Sequence, residues 1–529
     1  MRARLRLSPI LRRAGHAAAA VALICVLPAP LPVFAAEDDG AAVTAPIPPA
    51  QTSAEAEAPV PPAQASAEVE APVPPAQTSA EVEAPVAEPA SPEAAAPQEA
   101  AAPEVPPPVN PELKARLDGS RPIVVEGERT DSELLRRFYA ARNFDTVWDK
   151  QPGQAEAMLA AIGRADEHGI DPNLFHFAVL KSHDAALAPL DRELMLSDAV
   201  LGFADALARG AVPVEDRPGT WALTPGQVDT IAAVDKALGE PDPARAIEAL
   251  APQTPDYAAL QLAYALARMP AAPVRGGRPV TQNSSLQQKE LAVALERQRW
   301  LPRHLPATRI WVNTEDAHLD FYRDDQKVWS TRLVVGQVDK QTPEFETNAP
   351  SVLFNPPWYV PHSIAVKEIL PKLAYNPDYL AEHHMSWHGG TIRQDAGPHS
   401  ALGRIKFEMP DPFDVYLHDT PMKALFAAAD RHRSHGCMRV ENPFELAALL
   451  LNEDVSTISR KVDVGYTHRQ ELAHPIPVFV VYQTVTVDPA GRVQFHPDYY
   501  GRDERVWEAL HWAPQAETER IALANRPRD

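Results

Sequence analysis

Tyr416-Leu417-His418-Asp419-Thr420 and, with fifteen residues between His418 and its first serine, Ser434-His435-Gly436-Cys437-Met438-Arg439-Val440-Glu441-Asn442 are the two stretches whose reading decides this chain. A thiol needs a base to reach its nucleophilic form near neutral pH, and a histidine at the end of one strand can serve a cysteine on a glycine-bearing loop. Gly436 lets the backbone bend closely enough for amide N–H groups to face a reacting carbonyl, which is what an oxyanion site requires. Arg439, two residues past the thiol, is suited to hold a carboxylate with its forked donors.

The surroundings are strand-like. Thr308-Arg309-Ile310-Trp311-Val312-Asn313, Leu319-Asp320-Phe321-Tyr322 and Val328-Trp329-Ser330-Thr331-Arg332-Leu333-Val334-Val335 are short β-branched and aromatic runs separated by turn residues. Residues 351–354, 414–417, 478–487 and 493–495 continue the texture, with helical insertions at 365–375 and 443–451. Upstream the pattern is helical. Apolar residues recur at helical spacing over 132–139, 155–168, 194–207, 228–238 and 257–268, with one more helix at 285–299. The expected fold class is therefore multidomain α+β: a helical domain followed by a mainly-β catalytic domain with a helical capping insertion.

The amino terminus is of a different kind. Arg2, Arg4, Arg6, Arg12 and Arg13 precede an apolar run at 17–27, then prolines and Ala35-Ala36. This is the layout of a secretory signal cut near Ala35 or Ala36, too short and too proline-broken for a stable membrane anchor. Cys25 would leave with it, and Ile24 stands before it where a lipidated cysteine wants a small residue. Cys437 is then the lone thiol of an exported chain, either inert, intermolecular or working. Residues 45–83 hold three 13-residue copies of a pattern like A-P-V-P-P-A-Q-T-S-A-E-V-E. A Pro/Ala/Glu repeat without aromatic residues buries too little apolar surface to fold, so it reads as an acidic tether. The formal net charge of −21 argues against nucleic acid as a partner.

S-H-G-C-x-R-x-x-N, preceded by its histidine, resembles the signature of the L,D-transpeptidase (YkuD-type) catalytic domain. Val334-Val335-Gly336, Thr342-Pro343-Glu344-Phe345 and Phe354-Asn355-Pro356-Pro357-Trp358-Tyr359-Val360-Pro361 agree with it. The helical part, in Phe138-Tyr139, Val147-Trp148 and His168-Gly169-Ile170-Asp171-Pro172, is similar to the scaffold domain of the YcbB-like branch. The peptidoglycan-binding module usual in that branch has only residues 270–285 in its place, too few for a domain. The resemblance implies that Cys437 is the nucleophile, His418 its base, and Gly436 with Cys437 the oxyanion donors. The histidine would be oriented by a backbone carbonyl, for which Asp419 stands in position. Ser434, His435, Arg439, Tyr416, Asn355 and Trp358 are the implied substrate-side residues.

The division expected is a signal at 1–35, the tether at 36–112, a helical scaffold at 113–269, a linker at 270–285, the catalytic domain at 286–502 with a cap at 363–393, and a tail at 503–529. The implied activity is periplasmic crosslinking of peptidoglycan through a cysteine thioester, as a 3,3 or a 1,3 link. Its partners are donor and acceptor stem peptides with their attached glycan, and carbapenems are the expected inhibitors. No cofactor and no metal is implied. His383-His384 with His388, or His432 with His435, lack the second cysteine or carboxylate set a zinc site wants. Two alternatives stay open: an L,D-carboxypeptidase, in which water resolves the same thioester, and a non-catalytic wall-binding protein. Because the repeat has no core-forming residues, deleting residues 37–103 is expected to leave the melting temperature unchanged in a thermal scan. A fall of several degrees would show that the repeat packs on the folded part.

Overall fold

The computed structural model describes residues 107–119, 121–183, 187–224, 226–269 and 282–511. The expected signal, nearly all of the tether, most of the linker and the last eighteen residues lie outside the described residues.

The first half is a helical body. Its helices begin where capping chemistry says they should: Asp131 accepts from Leu134 N–H at the head of Ser132–Ala140, and Thr254 accepts from Tyr257 N–H at the head of Pro255–Arg268. Pro189–Arg209 runs through the centre with Leu194, Val200, Leu201, Phe203 and Leu207 buried. Glu193 is buried on the same helix. Its carboxylate accepts from Val147 N–H (2.7 Å), Trp148 N–H (3.0 Å) and the Tyr139 hydroxyl (2.8 Å), which ties three segments to one acceptor.

Gln282–Arg299, counted from the sequence with the β domain, packs instead into this helical core through Leu291, Val293 and Leu295. Glu296 explains the docking. It accepts from Ala211 N–H (3.1 Å), Val212 N–H (2.8 Å), Trp300 Nε1 (2.8 Å) and Arg299 Nη2 (2.7 Å), and is wholly buried. The chain returns to the same core at its far end. After the hairpin Val485–Val487/Val493–Phe495, the helix Asp503–Leu510, inside the expected tail, buries Val506 and Leu510 there.

Between these lies a closed sheet of eight strands: β1 Arg309–Asn313, β2 His318–Arg323, β3 Gln326–Gly336, β4 Glu344–Phe354, β5 Ile405–Glu408, β6 Leu417–His418, β7 Met438–Val440 and β8 His468–Val481. Their order around the barrel is β5-β6-β7-β3-β2-β1-β8-β4, and β4 closes it by pairing β5. Strand β6 is shorter than the sequence texture suggests, since residues 414–416 link the turn at 412–413 to the strand rather than joining the ladder. The helical body adds one rung, with Trp221–Ala222 running parallel to the start of β4. The interior is filled by Phe321, Phe345, Phe354, Leu417, Met438 and their neighbours.

The insertion between β4 and β5 carries a small core of its own, Val360, Ile369, Leu380 and Ile392. Three short strands, Trp358–Tyr359, Met385–His388 and Thr391–Gln394, support a helical run from His362 to Tyr375 containing one π turn at Ala365–Ile369.

Removing one partner of a buried, hydrogen-bonded ion pair strands the other, at about 3–5 kcal/mol. Glu296→Ala is expected to lower unfolding stability by that order in urea titrations. A change below about 1 kcal/mol would show that Glu296 does not fasten its helix.

Candidate active site

Strands β6 and β7 run parallel, with Leu417 opposite Met438 and His418 opposite Arg439. Met438 N–H donates to the Tyr416 carbonyl (3.0 Å), which fixes the register. Side chains alternate along a strand. With Leu417 and Met438 turned into the barrel core, Tyr416, His418, Cys437 and Arg439 share the other face. On the far side of β6, Lys406 of β5 stands opposite His418. Lys406, His418 and Arg439 therefore form one row across three strands.

His418 is 4% exposed. Its Nδ1 lies 2.5 Å from the Asp419 carbonyl, an acceptor only, so Nδ1 carries the proton in the neutral ring, and a second backbone hydrogen bond ties the ring to Leu402. Burial, then the Arg439 charge, with Lys406 adding to them, pushes its pKa down to about 3 against the pull of that carbonyl. The Asp419 carboxylate has another task. It accepts from Arg404 N–H (2.8 Å), Thr420 N–H (2.7 Å) and Lys423 Nζ (2.7 Å), so it holds the loop that presents the carbonyl. Gly403, at φ +60°, lies so close that any side chain there would strike Asp419.

Cys437 Sγ lies 3.8 Å from the Asp414 carbonyl, on a turn where Asp414 takes φ +55°. Burial pushes the thiol up, opposed by hydrogen bonds from the Tyr416 N–H and hydroxyl and by the Lys406 and Arg439 charges. Tyr416 is raised in turn, by burial and by the neighbouring sulfur. The Cys437 thiol and the His418 imidazole therefore both rest neutral.

The loop before the thiol is clamped at both ends. Ser434 Oγ accepts from Gly436 N–H (3.1 Å) and donates to the Cys437 carbonyl (2.6 Å). Thr342 Oγ1 donates to the Gly436 carbonyl (2.8 Å). Gly436 sits at φ +114°, a region that L side chains rarely adopt. Its N–H, expected as an oxyanion donor, is committed to Ser434, which leaves Cys437 N–H without a hydrogen-bond partner among the described residues.

The remaining candidates separate. His435 Nε2 meets Glu368 Oε1 of the cap at 2.5 Å, and Lys340 Nζ reaches the same oxygen at 3.4 Å. Arg439 has a buried Nε with no partner and one long contact, Nη1 to the Arg433 carbonyl at 3.4 Å. Asn355 does not line the cleft. It is buried, donates to the Val462 carbonyl (2.8 Å) and accepts from Arg404 Nε (2.8 Å), and so supports the Asp419 loop from behind. Trp358 packs against the cap's own core. His432 spends both ring nitrogens, on Asp430 (3.0 Å) and the Thr314 carbonyl (3.0 Å). Among the described residues no group of three or more His, Cys, Asp or Glu is placed to hold a metal. Sequence reasoning missed Lys406, Asp414, Glu368 and Thr342. Ile405-Lys406-Phe407-Glu408 alternates like any half-buried strand, and the others are remote in sequence from Cys437.

Residues 133–263 match the scaffold domain family and residues 307–479 the L,D-transpeptidase catalytic domain family. A Haemophilus influenzae protein named "Putative L,D-transpeptidase" is 34% identical over 253 residues, covering 43% of this chain and 50% of the relative. The chain thus spans half the length of that curated relative. Among solved structures, the catalytic domain of an E. faecium L,D-transpeptidase acylated by ertapenem is similar at 15% identity, over 34% of this chain and 99% of that one, with a TM-score of 0.20. An L,D-transpeptidase from Mycobacterium smegmatis is similar at 11% identity, over 33% and 58%, with a TM-score of 0.20.

With the thiol raised above its ordinary value, the thiolate fraction at neutral pH is small and grows about tenfold per pH unit below that pKa. Alkylation of Cys437 by a neutral reagent is expected to climb steadily from pH 6 to 8. A rate flat with pH across that range would instead reveal a preformed thiolate–imidazolium pair.

Proposed function

The chain carries a scaffold domain and an L,D-transpeptidase catalytic domain and so belongs among the scaffold-bearing L,D-transpeptidases, and from that premise we propose that it crosslinks peptidoglycan by two-step acyl transfer through Cys437. The observation that carries the proposal is the parallel β6–β7 register, which sets His418 and Cys437 diagonally on one face inside the matched region.

The Cys437 proton passes to His418 Nε2 as Sγ attacks a carbonyl on the L side of an L,D peptide bond. The tetrahedral oxygen meets the Cys437 N–H. His418 returns the proton to the departing amine, leaving a thioester, and an amine on a neighbouring stem then displaces the sulfur. No cofactor takes part in this scheme. Cleavage after the third residue of the donor gives a 3,3 link, and cleavage after the first gives a 1,3 link. Both break a bond of the same kind, so the dyad serves either. The basic and apolar leader supports action in the periplasm. No helix among the described residues is long and apolar enough to cross a membrane.

Cys437→Ser is expected to abolish dimer formation, because a hydroxyl is far too weakly acidic for a histidine held so low. The check is mass analysis of muropeptides from a strain lacking other such enzymes, with tandem fragmentation to see whether the donor keeps one residue or three. Dimers formed at more than a few per cent of the parent rate by the serine variant would overturn the nucleophile. Shortened monomers without dimers would move the assignment to a carboxypeptidase.

A further inference from the structure

A cavity of about 350 Å³ opens where the end of β5 and the chain after it meet β4 and β8, and it is lined by Asp414 and Tyr416, both of which contact Cys437. Its lining is charged in both senses: Lys406 and Arg469 against Glu408, Asp411, Asp414 and Glu471. Three of these six charges are already engaged. Arg469 Nε is held by Glu408 (2.6 Å), and Asp411 accepts from Phe413 N–H (2.7 Å) and Val415 N–H (3.3 Å). Lys406 is different. Among the described residues it has no carboxylate within ion-pair reach, and its Nζ rests 3.9 Å from the centre of the Tyr416 ring. The hydroxyl of that same ring bonds the thiol. A half-buried ammonium without an anion, one aromatic ring away from a nucleophile, is a vacancy for a carboxylate.

The row across the strands gives the vacancy a side. Arg439 and Lys406 flank His418 on opposite strands, roughly 10 Å apart at the usual strand spacing. The cap, latched by Glu368 to His435 and Lys340, overhangs the loop that bears the thiol. The cavity lies toward β5. Two substrates must meet at Sγ, and the site has two separated cations to receive them.

We propose that Lys406 anchors the side-chain carboxylate of the acceptor stem, so that the amine on the same carbon is delivered to the Cys437 thioester. This rests on the acyl-transfer reading above. An amino-carboxylate head, as on a diamino-acid side chain, matches the lining: its carboxylate on Lys406, its ammonium toward the carbonyl and carboxylate of Asp414. In the step itself the amine, having lost its ammonium proton to solvent, attacks the thioester carbon. His418 takes the second N–H proton and returns it to Sγ as the C–S bond breaks. One amide forms and one thiol is restored, with no other reactant. Water lacks the carboxylate, so Lys406 favours transfer over hydrolysis by holding one nucleophile and not the other. Lys406 is thus a specificity residue for the second half-reaction.

The experiment uses the full chain with a donor stem peptide and two acceptors that differ only in whether the side-chain carboxylate is free or amidated. Thioester formation is followed by the mass of the intact protein, and products by the ratio of dimer to hydrolysed monomer. Lys406→Met, which keeps the contact with Tyr416, is expected to cut the dimer-to-monomer ratio formed from the thioester for the free-carboxylate acceptor roughly tenfold to hundredfold, the range of a lost charge-assisted bond and far more than it changes the acylation rate. The amidated acceptor is expected to be poor for both proteins and equally so, and Lys406→Arg to recover most of the ratio. Acylation falling as far as transfer would overturn the proposal in favour of a donor-side or thiol-tuning role. Equal loss with both acceptors would overturn it in favour of packing. If the parent enzyme forms no thioester at all, the acyl-transfer reading fails first and takes this inference with it.

Discussion

Everything at this site depends on a parallel pairing between a strand of two residues and a strand of three. Leu417 and Met438 are the only residues of that pairing turned inward, and their burial in the barrel core decides which way four polar side chains face. A slip of one residue would send His418 and Cys437 to different faces, since side chains alternate with every step. Such short strands hold little register of their own. The register is fixed on both flanks: β5 binds β6 and is itself bound by β4, while β7 is bound by β3, the longest continuous neighbour. A closed barrel has no loose edge along which either strand could shift.

The helical body reaches the thiol through a chain of contacts rather than by touching it. Arg297, deep in the Gln282–Arg299 helix, pairs with Asp503 at 2.5 Å. The adjacent Arg502 binds Glu344 (2.7 Å) and Gln341 (2.6 Å), and Tyr500 donates to the Gly336 carbonyl (2.7 Å). These contacts set the turn between β3 and β4, whose Thr342 holds the Gly436 carbonyl. Gly336 has no room for a side chain against Lys340 and Thr342, which is why the turn folds so tightly there. The last described helix thus closes the helical core, and the residues just before it, Tyr500 and Arg502, brace the turn that holds the cysteine loop.

How much of this is legible in the sequence follows from the range of each interaction. Cys437 and His418 are legible as candidates because they carry rare chemistry: one cysteine beyond residue 25 and a histidine at a strand end. The helices are legible because periodicity and caps are local. The seat of Gln282–Arg299 is not, for its amphipathic pattern does not say which core it serves, and Glu296 finds Val212 only across a long separation. Lys406 was hidden for the same reason. On a strand, a lysine between Ile405 and Phe407 reads as a solvated position, and only the β5–β6 register turns it toward His418. Gly436 was read correctly as a bend and incompletely as a donor, because the partner of its N–H depends on a serine rotamer.

The electrostatics of the row then explain why a base so depressed still suits this thiol. His418 lies between two cations that oppose its protonation, and burial adds to them, so the free site keeps its proton on sulfur. Among the described residues both cations are short of anionic partners: Lys406 rests on an aromatic ring, and the Arg439 Nε is buried without an acceptor. A carboxylate seated on either one cancels part of the opposition and raises the basicity of the imidazole without any movement of the dyad. The same anion weakens the cations' pull on the thiolate, so the two effects act in opposite directions on the ion pair. A free site built this way keeps the proton on sulfur, through the burial of both groups and the two cations that backbone register sets beside His418.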